Sequence, residues 1–431
     1  MKRWRIDAFA CCGLIAASLA IGAVAGWPRQ ASADPAVAVA RSFSHEGLDR
    51  VSDYIRNEIA TGKIPGAILL IQQHGKPVYS ENFGVRDVAT KLPMDADTIF
   101  RLYSMSKPIT SVAAMMLVEE GKLRLDDPVS KFIPAFADIK VGVEKRGPDG
   151  TLTLAREPLD RPITIEDLLR HTSGLTYGFN GGNLVRKSYA EADLFSGDLT
   201  NAEFAERIAA LPLAEQPGTQ WDYGHSTDVL GRVVEVVSGK TLFQFEKERL
   251  LDPLGMGETE FYVSDKAKRR RIAEPLPDDR MISPTTEIRN PLQPRKAEPG
   301  GSGLVGTVGD YARFTQMLLN GGTFEGRRYL KPETVALMAS DHIGPETKIG
   351  RDYAYYPGAT SGFGLGFAVR TSVPPNTSWP LGEYRWDGVG GTFFFIGPAD
   401  DMFAIFMAQT PSQRGRIQLA LKTLIYQALL K

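Results

Sequence analysis

Segments typical of β-strands stand near both ends of this chain, and the residues between them are mainly of helical and loop type. Strands are predicted at residues 67–72, 77–83, 362–369, 392–397 and 402–407. The first two flank His74 and Gly75, so they predict a hairpin in which His74 is a turn residue. Between about residues 125 and 290 the sequence predicts little but helix and loop. We therefore expect one sheet built from the N- and C-terminal parts, with a helical lobe inserted between them.

Apolar residues at helical spacing, together with capping signals, predict the main helices. They cover residues 46–62, 111–121, 163–170, 201–212, 225–251, 304–319 and 417–430. Thr164 is the expected N-terminal cap of the third helix, and His171, which follows that helix, is interpreted as structural. Residues 141–160 contain Gly and Pro and predict an exposed loop or hairpin.

The composition is that of an ordinary globular protein, with 43% hydrophobic and 23% charged residues. A formal net charge of −1 gives no indication of nucleic acid or an anionic membrane surface as a partner. The basic cluster at residues 266–271 is interpreted as a solvated surface. The five histidines show no metal-ligand spacing, so neither a metal nor a cofactor is expected.

Residues 1–33 have the three parts of a secretory signal peptide. The charged first part contains Lys2, Arg3 and Arg5. An apolar run follows, and Ala31-Ser32-Ala33 has the pattern of a cleavage site, so the mature chain is predicted to begin at Asp34. Cleavage would make the protein periplasmic or secreted, without stable membrane insertion, and an uncleaved anchor is the alternative. Because Cys11 and Cys12 precede that site, the mature protein would have no disulfide and no thiol nucleophile.

The pair Ser104-x-x-Lys107 precedes the predicted helix at residues 111–121. If that helix begins near Ser104, the two side chains lie about one turn apart on one face, and the lysine amine can hydrogen-bond the serine hydroxyl. A lysine with a lowered pKa can remove the serine proton and so make the hydroxyl a nucleophile. The backbone N–H of Ser104 can also face a developing oxyanion. A chance occurrence of this short pattern is the alternative.

Two further segments complete a candidate site. Tyr223 stands just before a predicted helix, and beside Lys107 its phenolate form would be stabilised, so that it can act as a base. Trp386-Asp387-Gly388 precedes a predicted strand, where glycine allows a close approach to the backbone, and the N–H of Val389 is the second candidate oxyanion donor. The sequence has no Gly-x-Ser-x-Gly elbow, which argues against an α/β-hydrolase. Residues 238–241 lack the upstream glycine of a phosphate-binding loop and predict a turn between helices.

In this order, Ser104-x-x-Lys107, Tyr223-x-His225 and Trp386-Asp387-Gly388 resemble the motifs of the serine β-lactamase and penicillin-binding-protein superfamily. The resemblance covers nearly all of residues 34–431 and includes the flanking text from Leu168 to Leu175. It implies an α/β domain with an antiparallel sheet flanked by helices, a mainly helical lobe, and a site in the cleft between them.

The resemblance also implies the roles of individual residues. Ser104 would be acylated, and Lys107 would help to deprotonate it. Tyr223 would be the general base in acylation and then the proton donor to the leaving group. The backbone N–H groups of Ser104 and Val389 would hold the oxyanion.

Two departures from the superfamily pattern point to one branch of it. His225 stands where Asn is usual, and Trp386-Asp387-Gly388 replaces the Lys-Thr-Gly that helps β-lactamases and D,D-peptidases to bind a substrate carboxylate. Asp387, if ionised, would repel such an anion. The chain is therefore similar to family VIII carboxylesterases, in which an aromatic residue replaces that lysine. His225, Trp386, Asp387 and Gly388 are expected at the substrate, with His225 donating a hydrogen bond to its acyl group.

The expected activity is an exported serine hydrolase that cleaves short-chain carboxylic esters through an acyl-enzyme. A β-lactamase, a D-alanyl-D-alanine carboxypeptidase or an amide hydrolase of the same superfamily is one alternative. A non-catalytic binding module on this fold is the other. The expected partner is a small-molecule ester, and the sequence leaves the acyl chain, the physiological substrate and the oligomeric state open.

Overall fold

The computed structural model describes residues 42–179, 182–279, 281, 290–344, 347–349, 358 and 360–430. The predicted signal peptide lies outside the described residues. Helices in the described parts are α1 (His45–Ala60), α2 (Ser106–Glu119), α3 (Ile165–Leu169), α4 (Leu184–Glu191), α5 (Asn201–Ala209), α6 (Ser226–Ser238), α7 (Leu242–Glu246), α8 (Asp252–Leu254), α9 (Val308–Leu319), α10 (Pro332–Met338) and α11 (Arg414–Ala428).

Strands in the described parts include a large set that forms the main sheet and several short pairs. They are β1 (Gly66–Gln73), β2 (Lys76–Asp87), β3 (Leu92–Pro93), β4 (Phe100–Arg101), β5 (Val141–Arg146), β6 (Leu152–Glu157), β7 (Gln220–Trp221), β8 (Val305–Gly306), β9 (Thr323–Phe324), β10 (Arg327–Arg328), β11 (Lys348–Ile349), β12 (Ser361–Phe363), β13 (Ala368–Arg370), β14 (Tyr384–Asp387), β15 (Phe393–Gly397) and β16 (Met402–Met407).

The main sheet joins the two ends of the chain, as the sequence predicted. Its strand order is β12-β13-β14-β15-β16-β1-β2-β3, and neighbouring strands are antiparallel. At its centre β1 pairs with β16, with Leu69 opposite Phe406 and Ile71 opposite Ala404. The hairpin of β1 and β2 turns at His74, which has a φ of 52° and hydrogen-bonds Asp401. The antiparallel α/β fold is therefore confirmed.

Strand β16 is apolar throughout because the sheet is covered on both faces. Successive strand residues point to opposite faces. Met402, Ala404 and Phe406 pack in one cluster with α1 and α11. Phe403, Ile405 and Met407 pack in the larger cluster that contains α2, α6 and α9. Truncating one of these phenylalanines to alanine is expected to cost about 3–5 kcal/mol.

Helix α6 lies at the centre of the inserted lobe and packs against α2, α3, α5 and α7. Its contact with α2 makes the helix that carries Lys107 a neighbour of the helix that follows Tyr223. Thr164 caps α3 by accepting a hydrogen bond from the Asp167 N–H, as predicted. Residues 141–160 form the antiparallel hairpin of β5 and β6.

Several predicted boundaries are wrong. Residues 362–369 form two strands, β12 and β13, because the chain turns near Gly366, which has a φ of 103° and lies against the Ser111 side chain. Residues 225–251 are interrupted after α6 at Gly239, which has a φ of 71°, in the turn predicted at residues 238–241. Residues 304–319 begin with the short strand β8, and Thr307 caps α9.

Taken over the described ranges, none of the helices combines the length and apolarity that a bilayer crossing requires.

Candidate active site

Ser104 lies in a tight turn between the short strand β4 and α2. Tyr103–Met105 forms one 3₁₀ turn, and α2 follows at Ser106, so the α-helix begins two residues later than the predicted start near Ser104. Tyr103 has a φ of 48°, which is unusual for a bulky residue and costs on the order of 1–3 kcal/mol. Lys107 nevertheless reaches Ser104, with its Nζ donating to Ser104 Oγ at 3.2 Å.

The Lys107 amine is 1% exposed and donates three hydrogen bonds. Its acceptors are Gly301 O at 2.7 Å, Ser104 Oγ at 3.2 Å and the Tyr177 hydroxyl at 3.3 Å. Burial lowers the pKa of Lys107 to about 8, although the charges of Asp228 and Asp387 oppose this shift. A neutral amine keeps two N–H groups for Gly301 and Tyr177 and can turn its lone pair to Ser104.

Tyr223 is placed beside this amine by a close approach of the backbone. A β-carbon on Gly224 would lie 2.2 Å from Leu175 O, so only glycine lets the two segments meet here. The Lys107 Nζ lies 4.5 Å from the centroid of the Tyr223 ring, and the Tyr223 side chain is buried. Trp386 Nε1 donates to the Tyr223 hydroxyl at 3.2 Å. The structure thus brings Ser104, Lys107 and Tyr223 together, as the sequence predicted.

The turn after β14 brings Val389 to the same place. A β-carbon on Gly388 would lie 2.3 Å from Leu102 O, and one on Gly390 would lie 2.5 Å from the Tyr103 ring. Glycine at both positions therefore allows the turn to lie directly against the backbone that precedes Ser104. Val389 and Ser104 both line the cavity described below. Their roles as oxyanion donors stay a prediction.

Trp386 and Asp387 lie on β14, a strand that the sequence analysis missed. Trp386 is buried and packs edge-to-face against Tyr223, with ring centroids 5.2 Å apart. Asp387 Oδ1 lies 3.8 Å from Arg414 Nη1. Among the described residues that line the cavity, Trp386, Asp387 and Gly388 do not occur. Their direct contact with a substrate stays a prediction, whereas their contacts with the catalytic candidates are visible.

His225 is buried at the start of α6, and its ring lies 4.5 Å from that of Tyr177. Its Nδ1 lies 2.9 Å from Asp228 Oδ2. An ionised carboxylate only accepts hydrogen bonds, so Nδ1 carries the proton, and a neutral His225 presents Nε2 as an acceptor. The predicted donation to a substrate acyl group therefore requires the imidazolium form.

One cavity of about 500 Å³ adjoins these residues. Its walls are mainly aromatic and apolar, with a few polar groups near Ser104. It is lined by Tyr103, Ser104, Tyr177, Gly178, Phe179, Tyr189, Ala190, Asp193, Leu194, Phe195, Tyr223, His225, Asp228, Met281, Ser302 and Val389. This size lies within the range of pockets that enclose a drug-sized ligand.

The sequence analysis missed three residues that contact the candidate catalytic groups, and a fourth, Asp228, that holds one of the three. Tyr177 and Gly301 accept hydrogen bonds from Lys107. Asp228 accepts a hydrogen bond from the Gly301 N–H at 2.8 Å. His171, interpreted as structural, packs its ring 4.7 Å from that of Tyr223. Burial and the charge of Lys107 lower the pKa of His171 well below its usual value, so it is neutral here. His171 lies within, and Tyr177 just after, the segment from Leu168 to Leu175 that the superfamily resemblance had already marked.

The fold and this site define a serine hydrolase related to the β-lactamases. The chain belongs to the Beta-lactamase family, whose pattern matches residues 51–427. It is 37% identical over 373 residues to Protein Rv1367c of Mycobacterium tuberculosis, covering 84% of this chain and 90% of that protein. It is 34% identical over 337 residues to the Lovastatin esterase of Penicillium rubens, covering 75% and 79%. The solved structure of EstCE1, a hydrolase with promiscuous acyltransferase activity, superposes with a TM-score of 0.74 at 29% identity, covering 88% of this chain and 98% of that one.

Proposed function

We propose that this protein is a serine carboxylesterase that cleaves neutral esters through an acyl-enzyme on Ser104. The carrying observation is the buried Lys107 amine, which hydrogen-bonds Ser104 and lies against the face of Tyr223. The relative named for lovastatin hydrolysis and the solved hydrolase EstCE1 support ester chemistry.

In acylation, the hydroxyl of Ser104 attacks the ester carbonyl while its proton passes to Tyr223 or Lys107. The N–H groups of Ser104 and Val389 stabilise the oxyanion that forms. The tetrahedral intermediate then expels the alcohol, which takes this proton from the group that received it, Tyr223 or Lys107. In deacylation, water attacks the acyl group and the same proton path returns the hydroxyl of Ser104.

The surroundings of the site favour a neutral ester with an apolar group. Lys107 is buried beneath Ser104 and is already hydrogen-bonded, so it is poorly placed to bind a substrate carboxylate. Asp193 and Asp228 add negative charge to the cavity wall. The aromatic rings of Tyr177, Phe179 and Phe195 give the cavity a large apolar surface. We therefore propose a substrate with a short acyl group, as expected from the sequence, and a bulky, apolar alcohol group.

The test is hydrolysis of nitrophenyl esters and of esters with bulky alcohols. Replacing Ser104 by Ala should lower the turnover number by several orders of magnitude, because the group that carries the acyl chain is gone. Ser264→Ala, at an exposed serine that hydrogen-bonds Glu260, should retain full activity. Full activity in the Ser104→Ala variant would exclude this function.

Two other activities make different predictions. A β-lactamase or carboxypeptidase would turn over nitrocefin, or be labelled by penicillin, faster than it cleaves esters. A non-catalytic binding module would not react at Ser104 with a fluorophosphonate. The Trp386-Asp387-Gly388 segment disfavours the first alternative, because it offers no cation for a substrate carboxylate. The buried Lys107–Ser104 pair disfavours the second.

Export is part of the proposal and rests on residues 1–33 alone. A charged start, an apolar run and Ala31-Ser32-Ala33 support removal by a signal peptidase. The mass of the protein recovered from its native host should correspond to a chain that begins at Asp34. An intact N-terminus in a membrane fraction would favour the uncleaved anchor instead.

A further inference from the structure

The shortest hydrogen bond of the Lys107 amine is one that the acyl transfer itself does not require. Lys107 Nζ donates to the backbone carbonyl of Gly301 at 2.7 Å, whereas its contact with Ser104 is 3.2 Å. The Gly301 bond is buried. The position of this carbonyl therefore determines where the amine sits.

Asp228 holds the backbone on the other side of the Gly301 Cα. Its Oδ1 accepts the Gly301 N–H at 2.8 Å, and its Oδ2 lies 2.9 Å from His225 Nδ1. Asp228 is 4% exposed. Both carboxylate oxygens are thus used, and the side chain is fixed between the start of α6 and Gly301.

Gly301 is necessary for this arrangement. A β-carbon there would lie 2.7 Å from Asp228 Oδ1 and 3.0 Å from its Cγ, so any other residue would push the carboxylate away. Helix α2 holds the same segment nearby, because Thr110 Oγ1 donates to Gly300 O at 3.1 Å and Leu304 N donates to Ser106 Oγ at 3.0 Å. At Gly301 itself, the backbone is fixed by the hydrogen bond from its N–H to Asp228.

We propose that Asp228 is a positioning residue: by fixing Gly301, it sets the carbonyl that directs the Lys107 amine toward Ser104. This inference rests on the proposed role of Lys107 in activating Ser104. A neutral amine must keep its N–H groups on Gly301 and Tyr177 if its lone pair is to face the serine hydroxyl. Displacing a reacting group by about 1 Å can cost on the order of 100-fold in rate.

The experiment compares Asp228→Ala with Asp228→Asn. The asparagine Oδ1 can still accept the Gly301 N–H, whereas alanine cannot. The first readout is the rate at which a fluorophosphonate labels Ser104, which needs no knowledge of the substrate. The second is kcat and KM for a nitrophenyl ester. Both are measured near pH 9, about one unit above the pKa of Lys107. Most of the amine is already neutral there, so the lower pKa that follows loss of the charge at position 228 hardly changes the neutral fraction.

We expect Asp228→Ala to slow labelling and kcat about 100-fold with little change in KM, and Asp228→Asn to stay within about fivefold of the unaltered protein. Asp310→Ala is the matched control. Asp310 holds the same position in the first turn of α9 and also accepts a backbone N–H from a distant segment, that of Glu258 at 2.8 Å. This control should lose stability but retain the labelling rate.

Labelling at the unaltered rate in folded Asp228→Ala would overturn the proposal, and so would an equal loss in Asp228→Asn. If Asp228→Ala does not fold, Gly301→Ala takes its place, since its β-carbon displaces the carboxylate. A folded Gly301→Ala variant with an unaltered labelling rate would also overturn it. An unaltered protein that labels but cleaves no ester would refute the carboxylesterase function alone, and the labelling comparison would still decide the role of Asp228.

Discussion

The indole N–H of Trp386 donates a hydrogen bond to the hydroxyl oxygen of Tyr223 at 3.2 Å. Trp386 lies on a strand of the main sheet, and Tyr223 lies just before α6 of the helical lobe. The bond therefore connects the two parts of the molecule at the candidate base. A donor to the phenol oxygen stabilises the phenolate form and fixes the direction of the ring.

Replacing Trp386 by Phe should reduce kcat about 10-fold, because it removes the donor to Tyr223 while keeping an aromatic ring in the cluster. Steady-state kinetics with a nitrophenyl ester measure this. Trp379→Phe is the matched control, because Trp379 packs on Lys422 and Arg370 rather than on the cavity. Equal kcat values for the two variants would show that the indole N–H does not matter to the reaction.

The pH dependence of kcat/KM should follow the Lys107 amine. Burial lowers its pKa to about 8, so the neutral fraction, and with it kcat/KM, should rise with pH and level off above that value. Asp387→Asn removes a negative charge that holds this pKa up, and the rising limb should move to lower pH. Asp401→Asn, on the surface turn before β16, is the control at constant ionic strength. An unmoved limb in the Asp387 variant would contradict this electrostatic account.

The free energy of unfolding should depend on pH through the carboxyl group of Glu246. Burial raises its pKa to about 8, the nearby charge of Glu298 adds to this, and a hydrogen bond with Thr110 opposes it. Between pH 4.5 and about 8 the folded state holds a proton that the unfolded state has lost. The free energy of unfolding should therefore fall by up to about 1.4 kcal/mol per pH unit as the pH rises.

Urea unfolding at several pH values in this window measures the effect. Glu246→Gln cannot ionise, so its stability should gain on that of the unaltered protein steadily as the pH rises from about 5 to about 8. Parallel stability curves for the two proteins would mean that Glu246 does not retain its proton in the folded state.

Arg186 should be essential to the stability of the segment that leads into Tyr223. It donates to Thr176 Oγ1 at 2.5 Å and to Asp222 Oδ2 at 2.9 Å, and it is buried with Asp222. A second carboxyl group, that of Glu215, interacts with Asp222. Burial, with the charge of Asp222, raises the pKa of Glu215 well above its usual range, so we expect Glu215 to be protonated and Asp222 to be ionised. Arg186→Met leaves Asp222 without its cation and should cost about 3–5 kcal/mol of unfolding free energy.

Glu215→Gln is the informative companion variant, because an amide resembles the protonated acid. Its unfolding free energy in urea should differ by less than about 1 kcal/mol. A Glu215→Gln loss as large as that of Arg186→Met would show that the Glu215 carboxyl is ionised in the folded protein.

The central strands and the Ser104–Lys107–Tyr223 set were predictable because their signals are local. The β16 segment is a continuous apolar run, and the serine–lysine spacing matches one helical turn. Strand β14 was not predictable in the same way. Its neighbour Glu383 is fully buried with Arg370, Arg385 and Lys422 as ionic partners, so a buried part of the sheet has the composition of a surface loop.

The residues that position Lys107 could not be predicted from the sequence for a different reason. Asp228 and Gly301 are 73 positions apart, and Lys107 and Gly301 are 194 apart. No spacing rule connects residues that meet only after the lobe has folded onto the sheet. Once the structure is known, some of these contacts can be recognised by glycines. At Gly224 and Gly301 a β-carbon would collide with a distant segment of the chain.

The pairing of β1 with β16 determines when this protein can fold during its synthesis. Ile68 lies opposite Met407 in the sheet, so the hairpin of β1 and β2 lacks its central neighbour until nearly the whole polypeptide has been translated. Throughout that interval the open, apolar edge of β1 is a template for misassociation. We therefore expect nascent chains of this protein to need shielding of β1 until their last strands emerge.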